Sequence, residues 1–214
     1  MAATIITVAQ QKGGAGKTTL AAHLALALKT KNRAVALVDI DPQQSLGNWF
    51  QLRISRYGDA PDGLSVASVQ GWRTQQEVQR LARENDVVII DSPPHAETEA
   101  RIAIRLADLV LIPVQPSPMD VWACKPTLEL AAAERTPALM VLNRVPPRAN
   151  LTEAMLAELA KVGVPLAKAR IGNRVAFAGA LAEGQGITEL QPRGRAAEEI
   201  KSLSREVLRR ATSA

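Results

Sequence analysis

The residues from Gln11 to Thr19 have the composition of a phosphate-binding loop. Three glycines in this segment allow several backbone N–H groups to turn inward around an anion. The loop lies between an apolar run that ends at Ala9 and an Ala-rich helical stretch that begins at Lys17, so a helix dipole adds to the anion site. The residues expected to contact a nucleotide are Gly13, Gly14, Ala15, Gly16, Lys17, Thr18 and Thr19.

Individual residues of this loop have specific chemistry. Lys17 is expected to reach the β- and γ-phosphates, and the Thr18 hydroxyl is expected to bind Mg²⁺. Gln11 stands where the first glycine of the usual Gly-x-x-x-x-Gly-Lys-[Ser/Thr] pattern belongs. Lys12 is a second departure, because two lysines on one small loop repel each other unless an anion or solvent separates them.

Three carboxylates follow apolar runs that have the character of buried strands. Asp39 and Asp41 belong to the string Asp-Ile-Asp-Pro-Gln, and Asp91 ends the run Val-Val-Ile-Ile-Asp. One carboxylate near the phosphates can hold Mg²⁺ through water, and another can orient the attacking water. We assign the outer shell of the metal to Asp91. For Asp39 and Asp41 an ordinary strand-end turn is the alternative, since Asp and Pro are common turn residues.

Short apolar runs alternate with longer helical stretches along the whole chain, which favours βαβ units and a parallel sheet. We therefore predict an α/β fold over residues 1–214, a single domain with a mostly parallel twisted sheet flanked by helices on both faces. Polar residues interrupt one run, which places it near an edge. The predicted strands are Thr4–Ala9, Ala34–Asp39, Leu64–Val69 (the interrupted run), Val87–Asp91, Leu109–Val114 and Ala138–Asn143. The predicted helices include Lys17–Lys31, Arg73–Glu84 and Thr152–Lys161.

Composition narrows the class of protein further. The single cysteine, Cys124, excludes an intramolecular disulfide and a cysteine-based metal cluster within one chain, and a small buried residue is its simplest interpretation. A net charge of +5 permits a polyanionic partner without requiring one. The first apolar run is too short to span a membrane and leads straight into the glycine loop, so we expect a cytoplasmic protein.

The string Lys-Gly-Gly-x-Gly-Lys-Thr resembles the deviant Walker A motif of the ParA/MinD family of ATPases. The resemblance implies ATP and Mg²⁺ as ligands, ATP hydrolysis, and an ATP-dependent homodimer in which Lys12 crosses to the partner's nucleotide. It makes Lys12, Lys17 and Asp41 the catalytic residues, with Asp41 positioning the hydrolytic water. Thr18, Asp39 and Asp91 then form the metal side of the site, with Asp39 also supporting the loop.

Other segments carry the same resemblance. Residues 92–94, Ser-Pro-Pro, are similar to the family's switch region, and His95 beside them is interpreted as a surface histidine. Asn143 matches the asparagine that recognises adenine. Pro116, in a proline-rich stretch that extends to Asp120, matches the segment that lines the nucleotide and the dimer contact. The three tryptophans are interpreted as packing residues rather than ligands: Trp49, Trp72 and Trp122.

ParA-like dimers bind DNA without sequence preference, and that activity needs a basic face. The alternative for any single basic residue is a solvated surface or a helix-end cation. The helix predicted over Ala196–Ala211 has an apolar stripe that we interpret as packed on the domain rather than as a membrane anchor. The DNA-contact candidates are Arg144, Arg148, Arg170, Arg174, Arg193 and Arg195.

The resemblance implies an ATP-dependent DNA partition ATPase that is stimulated by a ParB-type centromere-binding or adaptor protein and associates with the nucleoid. Since the phosphate loop begins at Gln11, we expect the short ParA class without an N-terminal DNA-binding extension. The first alternative is a spatial regulator of the same fold that positions another cargo. The second is a metabolic ATP-dependent ligase of related fold, against which Lys12 and the Asp-Ile-Asp-Pro-Gln string argue.

Overall fold

The computed structural model describes residues 2–58, 63–94, 97–147 and 156–213. Seven strands form one sheet in the order β3-β2-β4-β1-β5-β6-β7, and every neighbouring pair is parallel. This confirms the predicted α/β class with a parallel sheet. The strands are β1 (Thr4–Val8), β2 (Val35–Asp39), β3 (Leu64–Ser68), β4 (Val87–Asp91), β5 (Leu109–Val114), β6 (Ala138–Val145) and β7 (Leu166–Gly172).

Helices cover both faces of this sheet, as predicted. The helices are α1 (Lys17–Leu28), α2 (Ser45–Tyr57), α3 (Arg73–Glu84), α4 (Glu97–Leu106), α5 (Pro118–Ala123), α6 (Lys125–Ala133), α7 (Val175–Ala182), α8 (Ile187–Leu190) and α9 (Arg195–Ala211). Residues 156–160 are helical as well. Side chains of α1, α2, α7, α8 and α9 share one core with the sheet, while α3 to α6 pack on the opposite face.

The apolar stripe of α9 is part of the main core. Ile200, Leu203 and Val207 are each buried and belong to the same cluster as the buried face of α1. Full burial of such a side chain stabilises the fold by about 1.5–3 kcal/mol. The interpretation of this stripe as a packing surface is confirmed. Among the described residues, no helix combines the length and apolar character needed to cross a membrane.

The sequence analysis did not predict β7, and it ended β6 at Asn143, two residues before the observed end at Val145. In β7, exposed Lys168 and Arg170 alternate with buried apolar residues, which is the pattern of an edge strand with one covered face. The predicted edge position of β3 is confirmed. β6 continues to Val145 through Arg144, whose φ of 53° lies in the left-handed region and accompanies a register shift. Of the predicted helix Thr152–Lys161, residues 152–155 lie outside the described residues.

Strand order places the phosphate loop at the centre of the sheet's carboxyl edge. The loop follows β1, which pairs with β4 on one side and with β5 on the other. In register, Val8 lies beside Asp91, and Asp91 lies beside Asp39 of β2. The acidic strand ends therefore flank the loop on one side and the segment after β5 flanks it on the other.

Candidate functional site

The backbone of the phosphate loop requires its glycines. Gly14 and Gly16 have φ values of 75° and 88°, a conformation that L side chains rarely adopt. A Cβ atom placed at Gly16 would lie 2.6 Å from the Asn143 Nδ2 atom, whereas one at Gly13 or Gly14 would meet no described atom within 4 Å. Open space above the first two glycines, at the N-terminus of α1, suits a phosphate group.

Lys17 is the first residue of α1, and its side chain lies near the carboxylates of Asp91 and Asp41. The residue is only 7% exposed. Burial lowers the pKa of its ammonium group, while Asp91 and Asp41 oppose that shift. A buried lysine near two carboxylates is a compact centre of positive charge, and phosphate oxygens are suitable additional partners for it.

Asp91 at the end of β4 is almost fully buried. Burial raises the pKa of its carboxyl group from 3.8 to about 7, against the opposing effects of a hydrogen bond with the Thr18 side chain and of nearby Lys17. Its Oδ1 atom finds no hydrogen-bond partner in the described part of the chain. An unpartnered carboxylate oxygen beside a threonine hydroxyl matches the hard oxygen ligands that Mg²⁺ prefers.

The other ligands of a bound Mg²⁺ would have to be waters or nucleotide oxygens rather than further acidic side chains. In the described ranges, no three His, Cys, Asp or Glu side chains are arranged to hold a metal ion by themselves. Mg²⁺ usually takes one or two protein ligands together with waters and nucleotide phosphate oxygens.

Asp39 and Asp41 differ in what they contact. The Asp39 carboxylate accepts backbone N–H groups from Asp41 at 3.1 Å and from Leu46 and Gly47 at 3.0 Å each. It therefore organises the turn after β2 and the first residues of α2. Burial raises the pKa of Asp39 in spite of these three bonds. Asp41 is only half-buried and accepts one N–H bond from Gln43 at 2.9 Å, so its position suits contact with a water molecule.

The other flank of the loop is formed by the segment after β5. Lys12 Nζ lies 2.8 Å from the Oδ2 atom of Asp120 in α5. The Gln115 side-chain amide donates to the Gly14 carbonyl at 3.1 Å. Pro116 is buried just beyond Gln115, on this flank, and is not among the residues that line the cavity beside Asn143.

Asn143 lies between the loop and a cavity of about 260 Å³. Its Nδ2 donates to the Ala15 carbonyl at 2.8 Å, and its Oδ1 accepts the Arg144 N–H at 3.0 Å. Asn143 and Thr19 are among the residues that line the cavity. Each amide atom of Asn143 has hydrogen-bonding capacity left, so recognition of a base there stays a prediction.

The far wall of this cavity was not predicted. It is formed by Gly172 at the end of β7 and by residues that follow it, including Asn173 and Val175. Because β7 was not predicted from the sequence, the position of its carboxyl end beside the loop was not predicted either. The alternation of exposed basic and buried apolar residues from Leu166 to Ile171 is the signal that predicts the strand.

His23 of α1 braces the floor of the cavity. Its Nδ1 accepts the Ile187 N–H at 3.0 Å, so Nε2 carries the proton and donates to the Phe177 carbonyl at 3.2 Å. Burial lowers the pKa of His23 to about 4. The neutral ring thus ties the helix that follows the phosphate loop to α7 and α8.

The basic candidates are only partly brought together. Arg170, Arg174 and Arg195 line a second cavity of about 290 Å³, with Glu199 among them. Arg174 pairs with Glu199 at 2.6 Å, and Arg195 is 3.6 Å from the same carboxylate. Arg144 lines the neighbouring cavity beside Asn143, and Arg193 is exposed. Arg148 lies outside the described residues.

Several smaller predictions have clear outcomes. Trp49 is buried, as a packing residue should be, but Trp72 is 77% exposed and Trp122 is 68% exposed. The packing interpretation is therefore wrong for these two residues, each of which lies on a helix or turn facing away from the core. Cys124 is buried, as expected. His95 lies outside the described residues.

Comparison with known proteins agrees with this geometry. A family model described as the CobQ/CobB/MinD/ParA nucleotide-binding domain matches residues 6–187. A maintenance of carboxysome distribution protein A from Halothiobacillus neapolitanus is 33% identical over 95% of both chains. A protein of the same name from Gloeobacter kilaueensis is 34% identical over 95% of this chain and 91% of its own. An ATP complex of McdA from Cyanothece has the same fold, with a TM-score of 0.79 at 21% identity over 96% of both chains.

Proposed function

Because this chain belongs to the CobQ/CobB/MinD/ParA nucleotide-binding family, we propose that it is an ATPase that positions a cargo inside the cell. The observation that carries the proposal is the arrangement around the phosphate loop. One lysine, Lys17, is buried near Asp41 and Asp91, while Lys12 lies on the opposite flank and is partly exposed. The first arrangement suits phosphoryl transfer, and the second suits a contact with another molecule.

Each polar residue of the acidic flank has a task in the proposed hydrolysis. Lys17 binds and orients the β- and γ-phosphate oxygens, and the inward-facing N–H groups of the glycine loop hold them in place. Thr18 and Asp91 are the residues that would hold Mg²⁺, which supplies charge neutralisation on the phosphates when it is bound. Asp41 orients the attacking water, and Asp39 keeps Asp41 in place through its backbone N–H.

The proposed active form is a homodimer with two ATP molecules at the interface. Lys12 is the residue assigned to the partner's nucleotide, since it lies outside the cradle that Lys17 completes. Its side chain is 38% exposed, so it is accessible to a second copy of the chain. Dimerisation would then depend on ATP, because the triphosphate bound to each copy supplies the anion that the Lys12 side chain of the other copy contacts.

A basic surface supports binding of the dimer to DNA without sequence preference. Arg170, Arg174 and Arg195 surround one cavity, and Arg144 lines the cavity next to it. Glu199 offsets part of this charge. The surface therefore fits phosphate-backbone contacts of moderate strength, which are the kind that sequence-independent binding uses.

The names of two relatives favour a large protein assembly, rather than plasmid or chromosome DNA, as the cargo. Two relatives that are 33% and 34% identical over at least nine-tenths of both chains are named for carboxysome distribution, whereas a chromosome-partitioning ATPase Soj that matches over a similar share is 28% identical. We therefore place a carboxysome or a similar large protein assembly first, linked to the ATPase by an adaptor protein on its surface. Partition of DNA through a ParB-type adaptor is the second candidate, supported by the same motifs.

The test of the ATPase cycle is nucleotide-dependent dimerisation. Sedimentation of the purified protein should show a dimer with ATP and Mg²⁺ and a monomer with ADP. Lys12→Ala should bind ATP yet remain monomeric, whereas Lys161→Ala, which removes an exposed lysine in a local ion pair, should behave as wild type. An ATP-dependent dimer of Lys12→Ala would disprove the trans role of Lys12.

The DNA surface has its own measurement. In the ATP state, replacing both Arg170 and Arg195 with Ala should lower the slope of log affinity against log salt concentration by about one per lost phosphate contact. Arg80→Ala, on α3, is the matched control and should leave the slope unchanged. Equal slopes for wild type and the double variant would remove these arginines from the interface.

The cargo is decided in the native cell. Deletion of the gene should cluster the protein assembly that the ATPase distributes while plasmid and chromosome inheritance stay normal. Loss of DNA inheritance with normal spacing of such assemblies would support the partition candidate instead.

A further inference from the structure

The two edges of the sheet differ in how their backbone groups are paired. At the β7 edge, two carboxylates of α9 accept backbone N–H groups of the strand. Glu206 accepts the Lys168 N–H at 2.9 Å, and Glu199 accepts the Gly172 N–H at 3.0 Å. These contacts occupy donors that an added strand would need, so α9 protects this edge of the sheet.

The β3 edge has no such protection in the part of the chain that the structure describes. The Val69 N–H, directly after β3, donates to the Asp39 carbonyl of β2 at 3.0 Å. Since the backbone groups of successive strand residues point alternately to the two sides, this bond fixes the direction of the residues before it. The N–H and C=O groups of Val66 and Ser68 therefore point away from β2, and no described residue pairs with them.

A stripe of polar and basic residues on α3 runs beside this edge. Arg73, Gln76, Arg80 and Arg83 are exposed, and their spacing places them on one face of the helix. All four line a cavity of about 490 Å³ together with Ser68 of β3. The helix face and the strand edge form one surface, which we call the α3–β3 surface.

The positive charge of this surface is only partly neutralised. Arg80 pairs with Glu77 at 2.7 Å and with Glu84 at 2.8 Å. Among the described residues, no acidic side chain pairs with Arg73 or Arg83. The α3–β3 surface therefore has two cations that are available to an anionic partner.

An exposed aromatic residue precedes the basic stripe. Trp72 is 77% exposed, and the guanidinium carbon of Arg73 lies 5.2 Å from the centre of its ring. Tryptophan and arginine are the residue types that most often contribute the binding energy of protein–protein contacts. A tryptophan that does not pack in the core is thus explained as a contact residue.

We propose that the α3–β3 surface binds an extended, acidic segment of a partner protein, which adds to the sheet as a strand beside β3. The backbone of such a segment supplies both donors and acceptors to Val66 and Ser68, and its carboxylates pair with Arg73 and Arg83. The surface lies outside the nucleotide site, and binding to it does not depend on the ATP-dependent dimer.

Two other occupants fit this surface less well. A DNA backbone offers only acceptors, which would face the outward carbonyls of β3 and the carboxylates of Glu77 and Glu84. A second copy of this chain would bring its own arginines against those of the first, because pairing of two β3 edges is isologous. An acidic peptide satisfies both the strand edge and the charge.

The first experiment titrates the nucleotide-free protein with a fluorescent peptide of alternating threonine and glutamate, about ten residues long. Because backbone hydrogen bonds supply the affinity in this mode, the probe does not have to reproduce a natural sequence. At low ionic strength it should bind with a Kd below about 1 mM, whereas a peptide of alternating threonine and lysine should not bind. A Kd above that limit for the acidic peptide would overturn the inference.

Substitutions test the side chains of the surface. Arg73→Ala combined with Arg83→Ala should weaken peptide binding about three- to tenfold, as expected for two exposed ion pairs. Trp72→Ala should weaken it at least about fivefold. The matched control is Lys125→Ala combined with Lys161→Ala, which removes two exposed cations that line a different cavity and should leave the affinity unchanged. Wild-type affinity of the arginine double variant would contradict the proposed contacts.

The second experiment distinguishes strand addition from general attraction between opposite charges. In the protein saturated with the acidic peptide, hydrogen exchange measured by NMR should slow about tenfold at the Val66 and Ser68 amides, because each gains a hydrogen bond. The amides of Ser65 and Ala67 already face β2 and should change less. Unchanged exchange at Val66 and Ser68 would rule out an added strand.

The other two occupants predict different results. If the arginine double variant bound a short DNA duplex more weakly but the acidic peptide normally, the surface would be a nucleic-acid site. If the nucleotide-free protein formed a dimer that Val66→Pro abolished, the occupant would be a second copy. This proline removes an N–H that faces away from β2, so the pairing of β2 with β3 is kept. Either result would overturn the inference, which instead expects weaker peptide binding by a monomeric Val66→Pro.

Discussion

The two flanks of the phosphate loop use the same residue type in different ways. Lys17 lies among the carboxylates at the ends of β2 and β4, is buried, and has its pKa lowered by that burial. Lys12, five residues earlier, reaches across to one carboxylate on the short helix α5 and keeps contact with solvent. Because Lys17 is buried, it keeps one set of partners. Lys12 is partly exposed, so it can exchange its partner.

The largest effect is expected from removing the buried lysine. Lys17→Ala should abolish measurable ATP binding and lower hydrolysis by about 10²–10³-fold or more, since it removes the cation that faces the phosphates. Lys12→Ala, by contrast, should retain ATP binding. Titration of both variants with a fluorescent ATP analogue compares the flanks directly, and equal affinities for the two variants would contradict the division between them.

Within the acidic flank, Asp41 should matter for the reaction rather than for binding. Asp41→Ala should reduce hydrolysis by about 10²–10⁴-fold, the usual contribution of a group that handles the attacking water. The variant should still form the ATP-dependent dimer, which would accumulate because ATP is not consumed. A phosphate-release assay and sedimentation on the same sample check both parts, and normal turnover would assign the water to another group.

Asp39 should affect stability more than Asp41 does. Asp39→Ala leaves the N–H groups of Asp41, Leu46 and Gly47 without their acceptor and should lower the free energy of unfolding by about 1–3 kcal/mol. Asp41→Ala, which loses one exposed bond, should cost about 0.5–1.5 kcal/mol at most. Urea unfolding of the nucleotide-free proteins measures this difference, and the reverse order would contradict the assigned contacts.

The smallest effect is the net pH dependence of the nucleotide-free protein, to which two groups contribute in opposite directions. The folded pKa of Asp91 is raised from 3.8 to about 7, so the folded state holds more protons in that interval and the free energy of unfolding falls as pH rises. The folded pKa of His23 is lowered from 6.5 to about 4, so the unfolded state holds more protons and the free energy of unfolding rises with pH. Between these limits the two effects partly cancel.

Single substitutions should separate the two effects. Asp91→Asn should leave the rise that His23 produces, and His23→Gln should leave the fall that Asp91 produces. Urea unfolding at several pH values between about 4 and 7.5 measures both curves. If both variants followed the wild-type curve, burial of these two groups would not be the cause of the pH dependence.

Much of the site followed from local patterns. The glycine spacing predicted the anion loop, and the apolar runs before Asp39 and Asp91 predicted strand ends that the register brings side by side. Such predictions succeed because a parallel sheet places the carboxyl ends of its strands at one edge. β7 was not predicted, because its exposed basic residues interrupt the apolar pattern. The cavity wall at and after Gly172 was therefore not predicted either.

By itself, the sequence determined the phosphate loop, the α/β class and the family resemblance, since these depend on residue types at short spacings. Only the tertiary structure decided that Asp39 supports a turn while Asp41 stays accessible, that Trp72 and Trp122 face solvent, and that Lys12 pairs with Asp120. Lys12 and Asp120 are 108 residues apart. Their contact depends on the pairing of β1 with β5, which no local pattern specifies. The tertiary structure also decides that Lys17 is buried with fixed partners, whereas Lys12 keeps contact with solvent and can exchange its partner.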